Sequence, residues 1–171
     1  MRQVILIIDV QRSFSPPDWL MGSIQTLTKY IPSVATIELH DEMRTPFLRQ
    51  LGWCPAVTDS SLVKADKVFV KYGYSPSCGT LDHLRQLNPD RDLVCGIQTD
   101  TCILAAGFVL FDAGLRPTLV TDLTIGSSLD KSGQLGVRLW KHHFRQTISS
   151  KELLMGLNPT PSDGVQEDVQ R

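Results

Sequence analysis

The 171-residue sequence has few cysteines, little net charge and no long hydrophobic run. Its four cysteines include no Cys-x-x-Cys pair, which excludes the usual zinc-knuckle and thioredoxin motifs. The formal net charge of -1, without a stripe of Lys and Arg, argues against nucleic acid as a partner. No stretch reaches the ~18 apolar residues of a membrane span. The N-terminal apolar run ends at Asp9, too early for a signal peptide. We therefore expect a cytoplasmic protein with free thiols and no membrane partner.

What the sequence does contain is a regular alternation of apolar runs and helical segments. The runs that predict strands are VILIID (4–9), SVATIEL (33–39), DKVFVK (66–71), DLVCGI (92–97), RPTLVTD (116–122) and the short QTIS (146–149). Continuous apolar runs are typical of strands covered on both faces, and strand–helix alternation favours parallel pairing. We predict an α/β fold, a three-layer α/β/α sandwich around a six-stranded, mostly parallel, doubly wound sheet. The predicted domain covers residues 1–156, followed by a flexible or neighbour-packing tail at 157–171.

Three chemically complementary side chains stand at or just beyond the ends of different predicted strands. Asp9 ends the first strand, Lys71 ends the third, and Cys102 lies at the first turn of the helix after the fourth. In parallel α/β sheets, ligands bind beyond the carboxyl ends of the strands. A helix N-terminus and a lysine favour the reactive thiolate, and a carboxylate can accept the thiol proton. Each residue alone has an ordinary structural explanation, but together they predict a cysteine nucleophile.

The segments LIIDVQRSF, VFVKYGYS and CGIQTDTCI resemble, in order and spacing, the isochorismatase-like cysteine hydrolases. That family includes nicotinamidases, N-carbamoylsarcosine amidases and isochorismatases, and the resemblance covers roughly residues 4–148. It implies Asp9 as general base and acid, Lys71 as thiolate stabiliser and Cys102 as nucleophile. It also implies a six-stranded parallel sheet and a homo-oligomer, expected here as a dimer or tetramer. We predict a small-molecule substrate and no cofactor.

The resemblance also assigns roles to the backbone around the cysteine and to the pocket. It implies a non-proline cis peptide bond between Ile97 and Gln98. The N–H groups of Gln98 and Cys102 would form an oxyanion hole. Gln11 and Phe14 match family positions beside the pocket. The remaining pocket candidates are Tyr74, Ile97 and Thr101.

The region after the second strand departs from the nicotinamidases, which bind a divalent metal through an Asp-x-His element and later histidines. Here it reads TIELHDEMRTPFLRQLGW (36–53). Glu38, His40 and Asp41 could imitate a ligand set, but no second histidine follows before His83. A polar strand end at the pocket rim explains these residues better. We therefore predict no metal site, which argues against nicotinamide as the substrate.

These features predict a cysteine hydrolase that cleaves a C–N bond of a small amide or ureido-type substrate through a thioester. Isochorismatases hydrolyse a vinyl ether and do not need the thiol, so the presence of Cys102 favours acyl chemistry. Two alternatives stay open: a vinyl-ether hydrolase, and a catalytically silent member that binds a small molecule. Cys78 is a rival nucleophile without a polar turn before it. Aromatic candidates favour a partly apolar ligand, namely Phe14, Trp19 and Tyr74.

Overall fold

The computed structural model describes residues 1–157, which form a six-stranded sheet with helices on both faces. The strands are β1 (Gln3–Ile8), β2 (Ser33–Glu38), β3 (Lys67–Lys71), β4 (Arg91–Ile97), β5 (Pro117–Ile125) and β6 (Thr147–Ile148). The helices are α1 (Asp18–Leu27), α2 (Phe47–Leu51), α3 (Cys78–Leu87), α4 (Cys102–Asp112), α5 (Gln134–His143) and α6 (Ser150–Leu157), with a 3₁₀ helix at Arg12–Phe14. All strand pairs are parallel, in the order β3-β2-β1-β4-β5-β6. The predicted α/β sandwich is confirmed, and its sheet is entirely parallel.

The central strand β1 shows why the apolar runs are continuous. Ile5 and Ile7 belong to a buried cluster with residues of α1 and α6. Leu6 and Ile8 point to the other face and belong to a cluster with residues of α3, α4 and α5. Successive side chains of a strand alternate between faces, so a strand between two helical layers needs apolar residues at every position.

Two segments near the C-terminus differ from the prediction. Strand β5 runs on to Ile125, because its pairing with β4 shifts register after Val94 and resumes at Gly96 opposite Thr124. Helix α6 was not predicted from the sequence. Its first residue, Ser150, donates hydrogen bonds from its N–H and hydroxyl to the carboxylate of Asp122, at 2.8 and 2.6 Å. The predicted tail at 157–171 lies outside the described residues, apart from its first position.

No helix within residues 1–157 combines the length and the apolar character needed to cross a bilayer.

Gly96 brings β4 close to β1, beside the point where Asp9 leaves that strand. Its φ is +115°, and a Cβ at this position would overlap the carbonyl oxygen of Ile8. We expect Gly96→Ala to lower the free energy of unfolding by roughly 2–4 kcal/mol, because backbone strain and crowding both contribute. Gly22→Ala is the matched control, since Gly22 lies inside α1 with open space around it. This control should raise the free energy of unfolding by about 0.5–1 kcal/mol. Urea unfolding measures both changes, and similar effects of the two substitutions would contradict the prediction.

Candidate active site

The order of strands in the sheet reverses between β1 and β4, and the candidate residues gather beside this point. The chain adds β2 and β3 on one side of β1, then crosses over to add β4, β5 and β6 on the other. In open α/β sheets such a switch point leaves a crevice at the carboxyl ends of the strands. Asp9 directly follows β1, Lys71 ends β3, and Cys102 is the first residue of α4. The structure brings all three together.

Lys71 contacts every other member of the cluster of reactive side chains. Its Nζ lies 2.8 Å from Oδ2 of Asp9 and 3.2 Å from Oε1 of Glu38. It also donates to the carbonyl of Gly73 at 2.7 Å and contacts Sγ of Cys102 at 3.5 Å. The side chains of Lys71, Asp9 and Glu38 are each no more than 1% exposed. Burial alone lowers the pKa of Lys71, but the charges of Asp9, Cys102 and Glu38 outweigh it and raise the pKa above its ordinary value. Lys71 is therefore an ammonium ion at neutral pH.

Asp9 is fixed by the turn that ends β1. Its backbone takes the left-handed conformation, with φ of 52°, which aspartate tolerates better than most residues. The N–H of Asp9 donates to the carbonyl of Thr36 at 3.2 Å. The Thr36 hydroxyl in turn donates to Oδ1 of the Asp9 carboxylate at 2.7 Å. One oxygen of Asp9 thus contacts Thr36 and the other contacts Lys71, so the carboxylate has a single orientation beside the thiol.

Cys102 presents a buried thiol at the start of α4. Only 5% of the residue is exposed, and its Sγ lies 3.9 Å from Oε2 of Glu38. Burial raises the pKa of Cys102 well above its ordinary value; the charges of Asp9 and Glu38 raise it further, while Lys71 lowers it. The resting group is therefore the protonated thiol. Lys71 favours the thiolate, but a base must accept the proton before sulfur can attack.

Glu38 is the fourth member of this cluster, and its role was not predicted from the sequence. It is the last residue of β2, and the parallel register places its Cα directly opposite that of Lys71. The sequence pattern indicated Glu38 only as a possible metal ligand or a residue at the pocket rim. The rule that selected Asp9 and Lys71, a charged side chain at the end of a buried strand, also applies to Glu38.

The segment between β4 and α4 supplies free backbone donors. The peptide bond between Ile97 and Gln98 is cis. The carbonyl of Gln98 accepts from the N–H groups of Thr101 and Ile103, at 3.0 and 3.1 Å. Within residues 1–157, the N–H groups of Gln98 and Cys102 have no hydrogen-bond acceptor. Both are therefore available to a ligand, as an oxyanion hole requires.

A cavity with about 260 Å³ of empty space opens onto the thiol. The lining includes the predicted residues Phe14, Tyr74, Ile97, Gln98 and Thr101, together with Glu38, Trp53 and Cys102. The apolar side chains favour a small and partly planar ligand, which the backbone donors and Glu38 could orient.

Two other sequence candidates lie elsewhere. Gln11 is fully buried, is not among the residues that line the cavity, and forms hydrogen bonds with the backbone of Glu38. Its side-chain oxygen accepts from the N–H of Glu38 at 2.6 Å, and its amide group donates to the carbonyl of Glu38 at 2.8 Å. Trp19 is 52% exposed on α1 and does not line the cavity. Trp53, just after α2, provides the aromatic wall that Trp19 was expected to contribute.

The possible metal ligands of the nicotinamidase pattern do not converge. His40 pairs with Glu42 at 3.6 Å, and Asp41 pairs with Arg44 at 3.1 Å. In the described part of the chain, one group of three potential ligands does come together, namely Asp9, Glu38 and Cys102, with ligand atoms within 4.8 Å of one another. The ammonium of Lys71 already contacts all three. These residues therefore fit an internal cation better than a metal ion.

Comparison with known proteins agrees with this architecture. The family model of the isochorismatase domain matches residues 3–152. An isochorismatase-like hydrolase from Alkaliphilus metalliredigens has a TM-score of 0.76 at 14% identity, covering 92% of this chain and 100% of that one. The pyrazinamidase of Pyrococcus horikoshii in complex with zinc has a TM-score of 0.72 at 19% identity, covering 87% and 99%. The N-carbamoylsarcosine amidase of Thermoplasma acidophilum has a TM-score of 0.70 at 18% identity, covering 88% and 97%.

Comparison with curated proteins gives no significant match. Because the family model spans most of the sequence, the chain belongs to the isochorismatase family. The predicted resemblance is confirmed.

Proposed function

We propose that this protein is a cysteine hydrolase that cleaves the C–N bond of a small amide or ureido-type substrate through a thioester. The observation that carries the proposal is the contact of one thiol with both an ammonium and a carboxyl group at the floor of a small cavity. The sulfur of Cys102 lies 3.5 Å from Nζ of Lys71 and 3.9 Å from Oε2 of Glu38, and within 4.8 Å of a carboxylate oxygen of Asp9. The amidases among the structural neighbours support the same class of substrate.

The reaction begins with transfer of the thiol proton from Cys102 to Asp9. Sulfur then attacks the carbonyl carbon, a C–S bond forms, and the π electrons move to oxygen. The N–H groups of Gln98 and Cys102 stabilise this oxyanion. When the carbonyl re-forms, the C–N bond breaks and the nitrogen leaves with a proton from a carboxyl group of the site. Water attacks the resulting thioester and the thiol is restored.

The proposal predicts that Cys102 is acylated even by a reactive ester that the pocket does not specifically recognise. We expect p-nitrophenyl acetate to release a rapid burst of about one p-nitrophenol per chain, followed by slower turnover, because acylation precedes hydrolysis of the thioester. Stopped-flow absorbance measures the burst. Linear release without a burst, at a rate matched by Cys102→Ala, would favour a binding protein on the same scaffold.

The remaining predictions concern the protein as a whole. The dimer or tetramer stays a prediction that a solution molecular mass would test, and the cytoplasmic location stays a prediction as well.

A further inference from the structure

The site contains one acidic group more than its single ammonium can balance. Asp9 and Glu38 both contact Lys71, and both are buried. If both carboxyl groups were ionised, one negative charge would be uncompensated, and a thiolate at Cys102 would add a second. Buried charges without partners are strongly unfavourable. One of the two carboxyl groups must therefore carry a proton in the resting site, before the thiol proton is transferred.

The contacts of the two carboxyl groups indicate which one this is. Asp9 contacts Lys71 at 2.8 Å and accepts a hydrogen bond from Thr36 at 2.7 Å, both of which stabilise the ionised form. Glu38 lies further from Lys71, at 3.2 Å, and its other oxygen accepts only a long hydrogen bond from the Cys102 thiol, at 3.9 Å. Of the two, Glu38 is the one that lines the cavity. A proton on Glu38 would therefore lie beside the sulfur and at the wall of the cavity.

The remaining surroundings agree with a neutral Glu38. The titratable and charged groups that face it are Asp9 from β1, Lys71 from β3, Cys102 from α4 and Tyr74 from the segment after β3. Burial and the charge of Asp9 raise the pKa of Glu38, whereas the charge of Lys71 and the hydrogen bonds from Lys71 and Cys102 lower it. The net result is a pKa above the ordinary value.

We propose that Glu38 is a second catalytic carboxyl group, which holds a proton in the resting site and donates it to the leaving nitrogen of the substrate. This inference rests on the proposed amide hydrolysis, and it assigns the donation to Glu38 instead of Asp9. Gln11 is then a positioning residue, because its paired hydrogen bonds to the backbone of Glu38 fix the end of β2.

The proton transfers balance over one turnover. Asp9 takes the proton of the Cys102 thiol as the C–S bond forms. As the C–N bond breaks, its electron pair stays on nitrogen, which takes the proton of Glu38. The Glu38 carboxylate then accepts a proton from the water that attacks the thioester. Finally the C–S bond breaks, and sulfur recovers the proton held by Asp9. Each carboxyl group gains and loses one proton, and Lys71 keeps its charge throughout.

The first test compares two probes that share an acetyl group and a nitrophenyl ring, p-nitrophenyl acetate and p-nitroacetanilide. Nitrophenolate leaves without a proton, whereas the anilide nitrogen needs one. Glu38→Gln should lower anilide kcat/KM by about 10²–10⁴-fold but ester acylation by less than about 10-fold. Asp9→Asn should depress both. Asp82→Asn, which alters an exposed carboxylate on α3, is the matched control. Equal loss of both reactions in Glu38→Gln would overturn the proposal.

The second test reads the proton without any substrate. In carbon-13 NMR of the glutamate carboxyl groups, the Glu38 signal is the one missing from Glu38→Gln. It should still show the shift of a protonated acid at pH values just above ~4.3, where the exposed glutamates lose their protons. Titration together with the exposed glutamates would refute the inference. A failure of the proposed hydrolase would show instead as the absence of acylation at Cys102, which leaves this NMR result unaffected.

The stability of the protein gives a third measurement of the same proton. The pKa of Glu38 is higher in the folded protein than in the unfolded chain. Between these two pKa values, the folded protein keeps a proton on Glu38 that the unfolded chain has lost. The free energy of unfolding of the wild type, relative to that of Glu38→Gln, should therefore fall as the pH rises from about 4.3 through the pKa of Glu38 in the folded protein. Urea unfolding over this range measures the difference. A difference that rises with pH would mean that the fold prefers ionised Glu38, and would contradict the proposal.

Discussion

Replacing Cys102 with alanine is expected to lower hydrolytic turnover by on the order of 10⁴-fold or more. The substitution removes the atom that would form the thioester, while Asp9, Lys71 and the backbone donors stay in place. Since only the sulfur is lost from a small buried side chain, the free energy of unfolding should change by no more than about 1 kcal/mol. Steady-state kinetics with p-nitrophenyl acetate, paired with urea unfolding, separates loss of chemistry from loss of fold.

Cys78→Ala provides the control for this prediction. Cys78 is also the first residue of a helix, α3, but it is exposed, and it is not among the groups that contact the Lys71 ammonium. Its removal should leave turnover within about 2-fold of the wild type, as expected for a surface position away from the site. A Cys102→Ala protein that still turned over at more than a few per cent of the wild-type rate would mean that another group is the nucleophile.

Replacing Lys71 with methionine is expected to lower the free energy of unfolding by about 3–5 kcal/mol. Methionine has a similar length but no charge, so the Asp9 carboxylate would be buried without its counter-ion and Glu38 would lose a hydrogen-bond donor. The loss should be largest near neutral pH and smaller toward pH ~4, where the carboxyl groups of the unfolded chain take up protons as well. Turnover should fall by at least about 100-fold, because the developing thiolate loses its electrostatic partner.

Lys67→Met is the matched control for this substitution, since Lys67 is an exposed lysine on the same strand, β3. It should change the free energy of unfolding by no more than about 0.5 kcal/mol. Urea unfolding of both variants from pH 4.5 to 8 measures the two effects. Equal and pH-independent effects would show that the buried ion pairs do not contribute as described.

The sequence was sufficient to predict the sheet and three of the four clustered side chains. Apolar runs identified the strands, because a strand between two helical layers is apolar on both sides. Asp9, Lys71 and Cys102 could be selected because parallel strands bring their carboxyl ends to one edge. Neither the order of the strands nor their register is needed to select these three residues.

Glu38 shows what sequence alone could not supply. Strand β2 lies between β3 and β1, so its last residue falls between Lys71 and Asp9. The sequence does not show the order of the strands. Glu38 was instead considered together with His40, because residues two apart in a strand lie on the same face. Helix α6 was missed for a related reason. Its first turn depends on hydrogen bonds from Ser150 to Asp122, which lies on a strand 28 residues earlier.

The most direct test of the account is the location of the acyl group. The protein is mixed with p-nitrophenyl acetate, quenched in acid during the burst, digested and mapped by mass spectrometry. We expect one acetyl group per chain, on the peptide that contains Cys102, and none on that peptide in Cys102→Ala. Acetylation spread over Cys54, Cys78 and surface lysines, with Cys102 unmodified, would contradict the assignment of Cys102 as the nucleophile.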